Sequence, residues 1–210
     1  MFKIDFFFNY YLMTSVYQTN NELLISINNE QTMLKKHHIV VLDISTSMDS
    51  LATINDESGN KVATQLSYLD LTKHCIKMYI HSIDENDLFT LIVFSDNARS
   101  IFTKEIVNTD TTEELINKLM TIKANGLTNL WDGIKTALYQ LEDIPSNYSN
   151  SITVYTDGVP NHNPPRGITV ELEKYLKQFN ITDVPIHILG FGYNLEINTL
   201  TNISDITNGS

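Results

Sequence analysis

The chain has 210 residues, 42% hydrophobic and 19% charged, enough for a sizeable core and, by length, one or two domains. Its formal net charge is -11, and no Lys/Arg-rich run exists to neutralise a phosphate backbone or dock on an anionic bilayer; nucleic acid and membrane are not expected as partners. A single cysteine, Cys75, excludes an intrachain disulfide framework and any multi-cysteine zinc or iron-sulfur site.

The first residues, Met1 to Met13, are rich in Phe and Tyr, but Asp5 and Asn9 break the apolar run and no small-residue cleavage site follows. With the lone cysteine, this favours a cytoplasmic location, secretion being the lesser alternative. Within residues 1–36 the run Leu23-Leu24-Ile25-Ser26-Ile27 reads as a strand. This segment is expected to be an N-terminal extension that adds one or two strands to a sheet edge or packs on it.

From residue 39 onward apolar strand-like runs alternate with helical patterns, the signature of a parallel sheet with helices on both faces. The first strand is His38 to Leu42. A polar loop from Met48 to Lys61, carrying Asp49, Asp56 and Glu57, should rim the ligand face. Helical periodicity then runs from Ala63 to Ser82, with Leu66, Leu69, Ile76, Met78 and Ile80 as apolar positions and Cys75 expected in the helix core. Asp87 to Phe94 is the second strand. The short connector Ser95-Asp96-Asn97-Ala98 makes Arg99 to Thr103 its hairpin partner and so an antiparallel edge.

A helix opens at Thr111-Thr112-Glu113-Glu114 and ends near Lys123, with Asn125-Gly126 as its stop. Asn129 to Leu141 is helical, Ile152 to Tyr155 a buried strand, and Thr169 to Phe179 another helix. Val184 to Leu189 is the last clear strand, with Pro185 at its beginning. A final helix spans Ile197 to Thr207.

In open parallel sheets, ligands bind beyond the carboxyl ends of the strands, where strand order reverses. Three strand ends or nearby loops carry clustered oxygens. Asp43, Ser45 and Ser47 follow the first strand as Asp43-Ile44-Ser45-Thr46-Ser47, an acid and two hydroxyls at every second position. Thr128 lies in Asn125-Gly126-Leu127-Thr128-Asn129 just before a helix, and Asp157 follows a strand in Thr156-Asp157-Gly158. Oxygens of this kind suit a hard divalent cation. Taken singly, a Ser or Thr there reads as a cap and Asp157-Gly158 as a turn; a carboxylate such as Asp43 ending a buried strand needs a partner. His162, in the loop after Asp157, is a lesser contact candidate, and His37 and His38 read as structural.

The three motifs together, in this order and on these elements, resemble the metal-ion-dependent adhesion site (MIDAS) of von Willebrand factor type A domains. The resemblance covers residues 38–207. It implies a Rossmann-like, doubly wound, mostly parallel sheet over residues 37–210, in which Ser45, Ser47 and Thr128 coordinate Mg²⁺ or Mn²⁺ while Asp43 and Asp157 act directly or through water. It further implies a protein-protein interaction module, not an enzyme, whose bound ion takes an Asp or Glu carboxylate from a partner. One departure is visible: the family's sheet usually continues with a strand after the last strand-helix pair, and here the sequence stops at Ser210. Two alternatives stand beside this reading. One is a metal-dependent hydrolase or phosphatase, disfavoured because a haloacid-dehalogenase-type site needs a second Asp where Ser45 stands. The other is the substrate-recruiting part of a larger assembly such as a ubiquitin ligase.

Overall fold

The computed structural model describes residues 2–7, 13–18, 23–28, 34–55, 61–192 and 195–210. The chain divides into two compact units, Met1–Leu34 and Lys35–Ser210. In the first, strands β1 (Phe2–Phe7), β2 (Met13–Gln18) and β3 (Leu23–Asn28) pair antiparallel in that order. The strand expected around Ile25 is therefore β3. Two more precede it in a three-stranded sheet, β2 pairing with β3 and β1 with β2, one strand more than the one or two expected of this extension. Lys3 and Asp5 give Phe2–Phe7 a period-two alternation that the aromatic run around it conceals.

The second unit is built on β4 (Lys35–Asp43), β7 (Leu88–Phe94), β8 (Ala98–Ile106), β9 (Tyr148–Thr156) and β10 (Ile186–Gly190). Their order is β10-β9-β4-β7-β8; all pairs are parallel except β7 with β8. This is the Rossmann-like, mostly parallel α/β sheet with one antiparallel edge strand. Two further strands, β5 (Leu51–Asn55) and β6 (Lys61–Ser67), form a separate antiparallel pair.

Helices α1 (Tyr68–Ser82) and α2 (Thr109–Met120) cover one face, and α3 (Leu130–Tyr139), α4 (Ile168–Gln178) and α5 (Ile197–Ile206) the other. The central strand shows why both faces need cover. Val40 and Leu42 belong to the core with α1 and α2, Ile39 and Val41 to the core with α3, and all four are at most 1% exposed. Gly133 of α3 lets that helix lie directly on β4 and β7, since a Cβ there would stand 2.8 Å from the Phe94 ring and 3.1 Å from Val41.

Helix α1 corrects two expectations. It starts at Tyr68, not Ala63, because Ser67 caps it in a reciprocal box with Asp70 while residues 61–67 are β6. Part of the expected polar loop 48–61 is thus β5, preceded by a short 3-10 turn over Thr46–Asp49. Asp56 and Glu57 lie outside the described residues. The buried stripe of α1 is Leu69, Thr72, Lys73, Ile76 and Ile80, which leaves Cys75 and Met78 on the exposed side. At the opposite edge of the sheet, β10 has its Ile186 N–H bonded to Thr207 Oγ1 and its Ile188 N–H to the Ser210 carbonyl.

Candidate metal centre

The order β9-β4-β7 places a topological switch point at β4. The chain leaves β4 through α1 to β7 on one side and later lays β9 on the other. The crevice beyond the carboxyl end of β4 is where such folds bind ligands, and Asp43 is the last residue of that strand.

Asp43 is fully buried. Its Oδ1 accepts from Ser45 N at 2.8 Å and its Oδ2 from the Thr156 hydroxyl at 2.6 Å. The carboxylate thereby folds the chain back on itself, so that Ser45 and Ser47 both turn toward the crevice. Ser45 Oγ lies 3.0 Å from Ser47 Oγ, and Ser47 Oγ donates to Asp157 Oδ1 at 2.8 Å. A Cβ placed on Gly158 would lie 3.7 Å from Ser47 Oγ and 3.8 Å from Thr128 Oγ1, so these two hydroxyls flank one point above the Asp157-Gly158 turn. Ser45, Ser47, Thr128 and Asp157 line a single cleft of about 510 Å³, and Asp43 lies behind Ser45, off the cleft wall. All five expected residues are thus drawn to one end of β4.

Burial pushes Asp43 up to about 6 against the opposing hydrogen bonds from Thr156 and Ser45, and Asp157 adds to the rise. Burial also raises Asp157, which the Ser47 hydrogen bond partly offsets. Two buried carboxylates at one site favour a compensating positive charge. Among the described residues no Lys, Arg or His lines the cleft. Among the described residues no group of three or more His, Cys, Asp or Glu is gathered to hold a metal, and the oxygens that meet in the cleft are mostly hydroxyls. A hard cation fits these: around Mg²⁺, with metal–oxygen distances of about 2.1 Å, adjacent ligands of an octahedron stand about 3 Å apart. The Ser45–Ser47 oxygen separation, 3.0 Å across their hydrogen bond, matches the length of such an edge.

The loops are fixed by bonds that sequence reading does not disclose. Thr128 N donates to Asn161 Oδ1 at 3.0 Å, while Asn161 N and His162 N donate to the Thr128 carbonyl at 2.9 and 3.3 Å. Asn161 thus clamps the loop carrying Thr128 to the loop carrying Asp157. Its partner is 33 residues away, and nothing local in the sequence marks it. Gly126, at φ 75, turns its carbonyl to accept from both Thr46 N and Thr46 Oγ1, each at 3.0 Å. Asn129 caps α3 by accepting from Asp132 N and reaches the Asp96 carbonyl with its Nδ2. Asp132, expected only as a first-turn acid, also accepts from Ala98 N at 2.7 Å and braces the β7–β8 turn. Trp131 packs at the margin of the core. His37 and His38 lie at the far end of β4, 0% and 8% exposed, and take structural hydrogen bonds.

A mostly parallel α/β sheet with hydroxyls and carboxylates gathered at its switch point defines the class of this protein. A family model of the von Willebrand factor type A domain matches residues 39–210, and the chain belongs to that family. Among solved structures, it is similar to a von Willebrand factor type A protein from Catenulispora acidiphila, with TM-score 0.68 and 16% identity over 95% of this chain. The chain spans 40% of that protein's length. It is also similar to the conserved hypothetical protein BatB from Bacteroides thetaiotaomicron, with TM-score 0.60 and 20% identity, covering 83% of this chain and 87% of that one. A third likeness is to proximal thread matrix protein 1 of the mussel byssus, solved with a zinc-occupied MIDAS motif. There the TM-score is 0.57 and the identity 20%, over 81% of this chain and 39% of that one. At these identities the likenesses establish the fold. No curated protein matches the chain.

Proposed function

We propose that this domain is a divalent-cation-dependent protein-interaction module, in which Ser45, Ser47 and Thr128, with Asp43 and Asp157 directly or through water, hold Mg²⁺ or Mn²⁺. The observation that carries this reading is the convergence of these oxygens from three separate segments onto the switch-point crevice, with an octahedral-edge spacing between the two serines. The ion would supply a Lewis-acidic position for a carboxylate. The chain's own residues do the rest. Asp43 fixes the backbone of Ser45, Asp157 orients the Ser47 hydroxyl, and the neutral hydroxyls would leave the ion's charge incompletely neutralised, so that an Asp or Glu of a protein partner could complete its shell.

Catalysis is the weaker reading. Ser45 stands where a haloacid-dehalogenase-type phosphatase has its second Asp, and among the described residues no histidine lines the cleft to serve as general base. Recruitment within a larger assembly in the cytoplasm is compatible with the same site, since the ion-borne contact is what would dock the recruited protein. The test is capture of a Glu-containing peptide by biosensor in Mg²⁺ and in EDTA. We expect capture only with the cation, and its loss in Asp157→Asn; equal capture in EDTA would overturn the proposal.

A further inference from the structure

Each segment that gives an oxygen to the cleft also gives it an aliphatic side chain. Leu51 follows Ser47 by four residues, Leu127 immediately precedes Thr128, and Val159 follows Asp157 by two. They are 52%, 47% and 49% exposed, and all three line the same cleft as the hydroxyls. A single exposed aliphatic residue is ordinary on a protein surface. Three around one concave polar point form a collar.

The charges narrow what that collar can receive. Among the described residues no Lys, Arg or His lines the cleft, so their side chains offer a partner's carboxylate no positive charge and the bound ion would supply it. The chain as a whole carries -11, and a polyacidic segment approaching it meets repulsion at every carboxylate beyond the first. A solitary carboxylate between apolar side chains avoids that repulsion and covers the collar. Covering it also excludes water from the ion–carboxylate contact, which strengthens in the lower dielectric.

Resting on the cation-dependent reading above, we propose that the partner presents a single Asp or Glu flanked on both sides by aliphatic or aromatic residues, and that Leu51, Leu127 and Val159 select for those neighbours. The probes are three immobilised nonapeptides of otherwise identical Gly/Ser background: one with Glu between leucines, one with Glu between serines, one with Glu inside a run of glutamates. In Mg²⁺ the leucine-flanked peptide should bind about tenfold more tightly than the other two. The double variant L127S/V159S should erase that preference while its Mg²⁺ titration stays unchanged. Leu51→Ser, which alters a different segment, should reduce the preference independently. Equal binding of the serine-flanked or polyacidic peptide, or a preference that survives in L127S/V159S, overturns the inference while leaving the cation-dependent reading intact. Absence of Mg²⁺-dependent capture for all three peptides overturns that reading itself, and this inference with it.

Discussion

Asn161 shows how a residue with no ligating role can govern the site. Its side-chain oxygen and its backbone N–H grip the N–H and carbonyl of Thr128, as a strand partner would. Asn161→Ala should weaken Mg²⁺ binding about tenfold by calorimetry with little change in thermal midpoint, because Asn161 is exposed and removes no core packing. Asn161→Asp, which keeps the accepting oxygen, should restore affinity; a loss equal to that of the alanine variant would refute the clamp. At the other end of β4, His37 is a residue whose protonation matters to folding. Its Nδ1–H donates to Asn150 Oδ1 and its Nε2 accepts from the Thr90 hydroxyl, whose oxygen in turn accepts from Lys104 N. Burial lowers His37 from 6.5 to about 4, beyond what the Asn150 hydrogen bond restores. A histidine held neutral stabilises the fold above its unfolded pKa, and this contribution is lost as pH falls through 6.5 toward 4. In urea unfolding, the stability difference between the wild type and His37→Gln should shrink by roughly 2 kcal/mol from about pH 7.5 to about pH 5, a pH-independent difference counting against it.

Elements differ in how plainly the sequence announces them. β4, β7 and β9 are buried on both faces and read as apolar runs, and the oxygens at their ends were legible for the same reason: a polar residue directly after such a run has few places to be. The β5–β6 hairpin was not legible. Leu66 and Leu69 fall at helical spacing although only Leu69 lies in α1, so periodicity extends the helix back across a strand, and the Ser67–Asp70 box that stops it is a weaker signal. Cys75 fails as a core residue for a related reason: the buried stripe at Thr72, Lys73 and Ile76 passes beside it. The contact of α3 with the sheet is likewise invisible in sequence, because a glycine within a helix reads only as a weakness. Here Gly133 is the contact point over Phe94 and Val41. Gly133→Ala should destabilise the domain by about 1–3 kcal/mol through overpacking, despite alanine's better helix propensity. An unchanged or raised denaturation midpoint would mean that α3 does not rest on the sheet this closely.

At the scale of the whole molecule, topology and charge act together. The reversal of strand order at β4 opens the crevice, and the loops after β4 and β9 meet the Thr128 loop there. The five oxygen-bearing residues could be named from sequence because the strand ends determine where they gather. The bonds that lock them, from Thr156 to Asp43 and from Asn161 to Thr128, span 113 and 33 residues and follow only from the assembled fold. A strongly acidic chain with two raised carboxylates at its ligand edge, and no cation among the described side chains of the cleft, would gain a charge partner from a divalent ion. Isothermal titration of the metal-free protein with Mg²⁺ tests this most directly. The account predicts one ion per chain, with binding abolished in Thr128→Val and in Asp157→Asn while both variants remain folded; no binding by the wild type, or wild-type affinity in both variants, would contradict it.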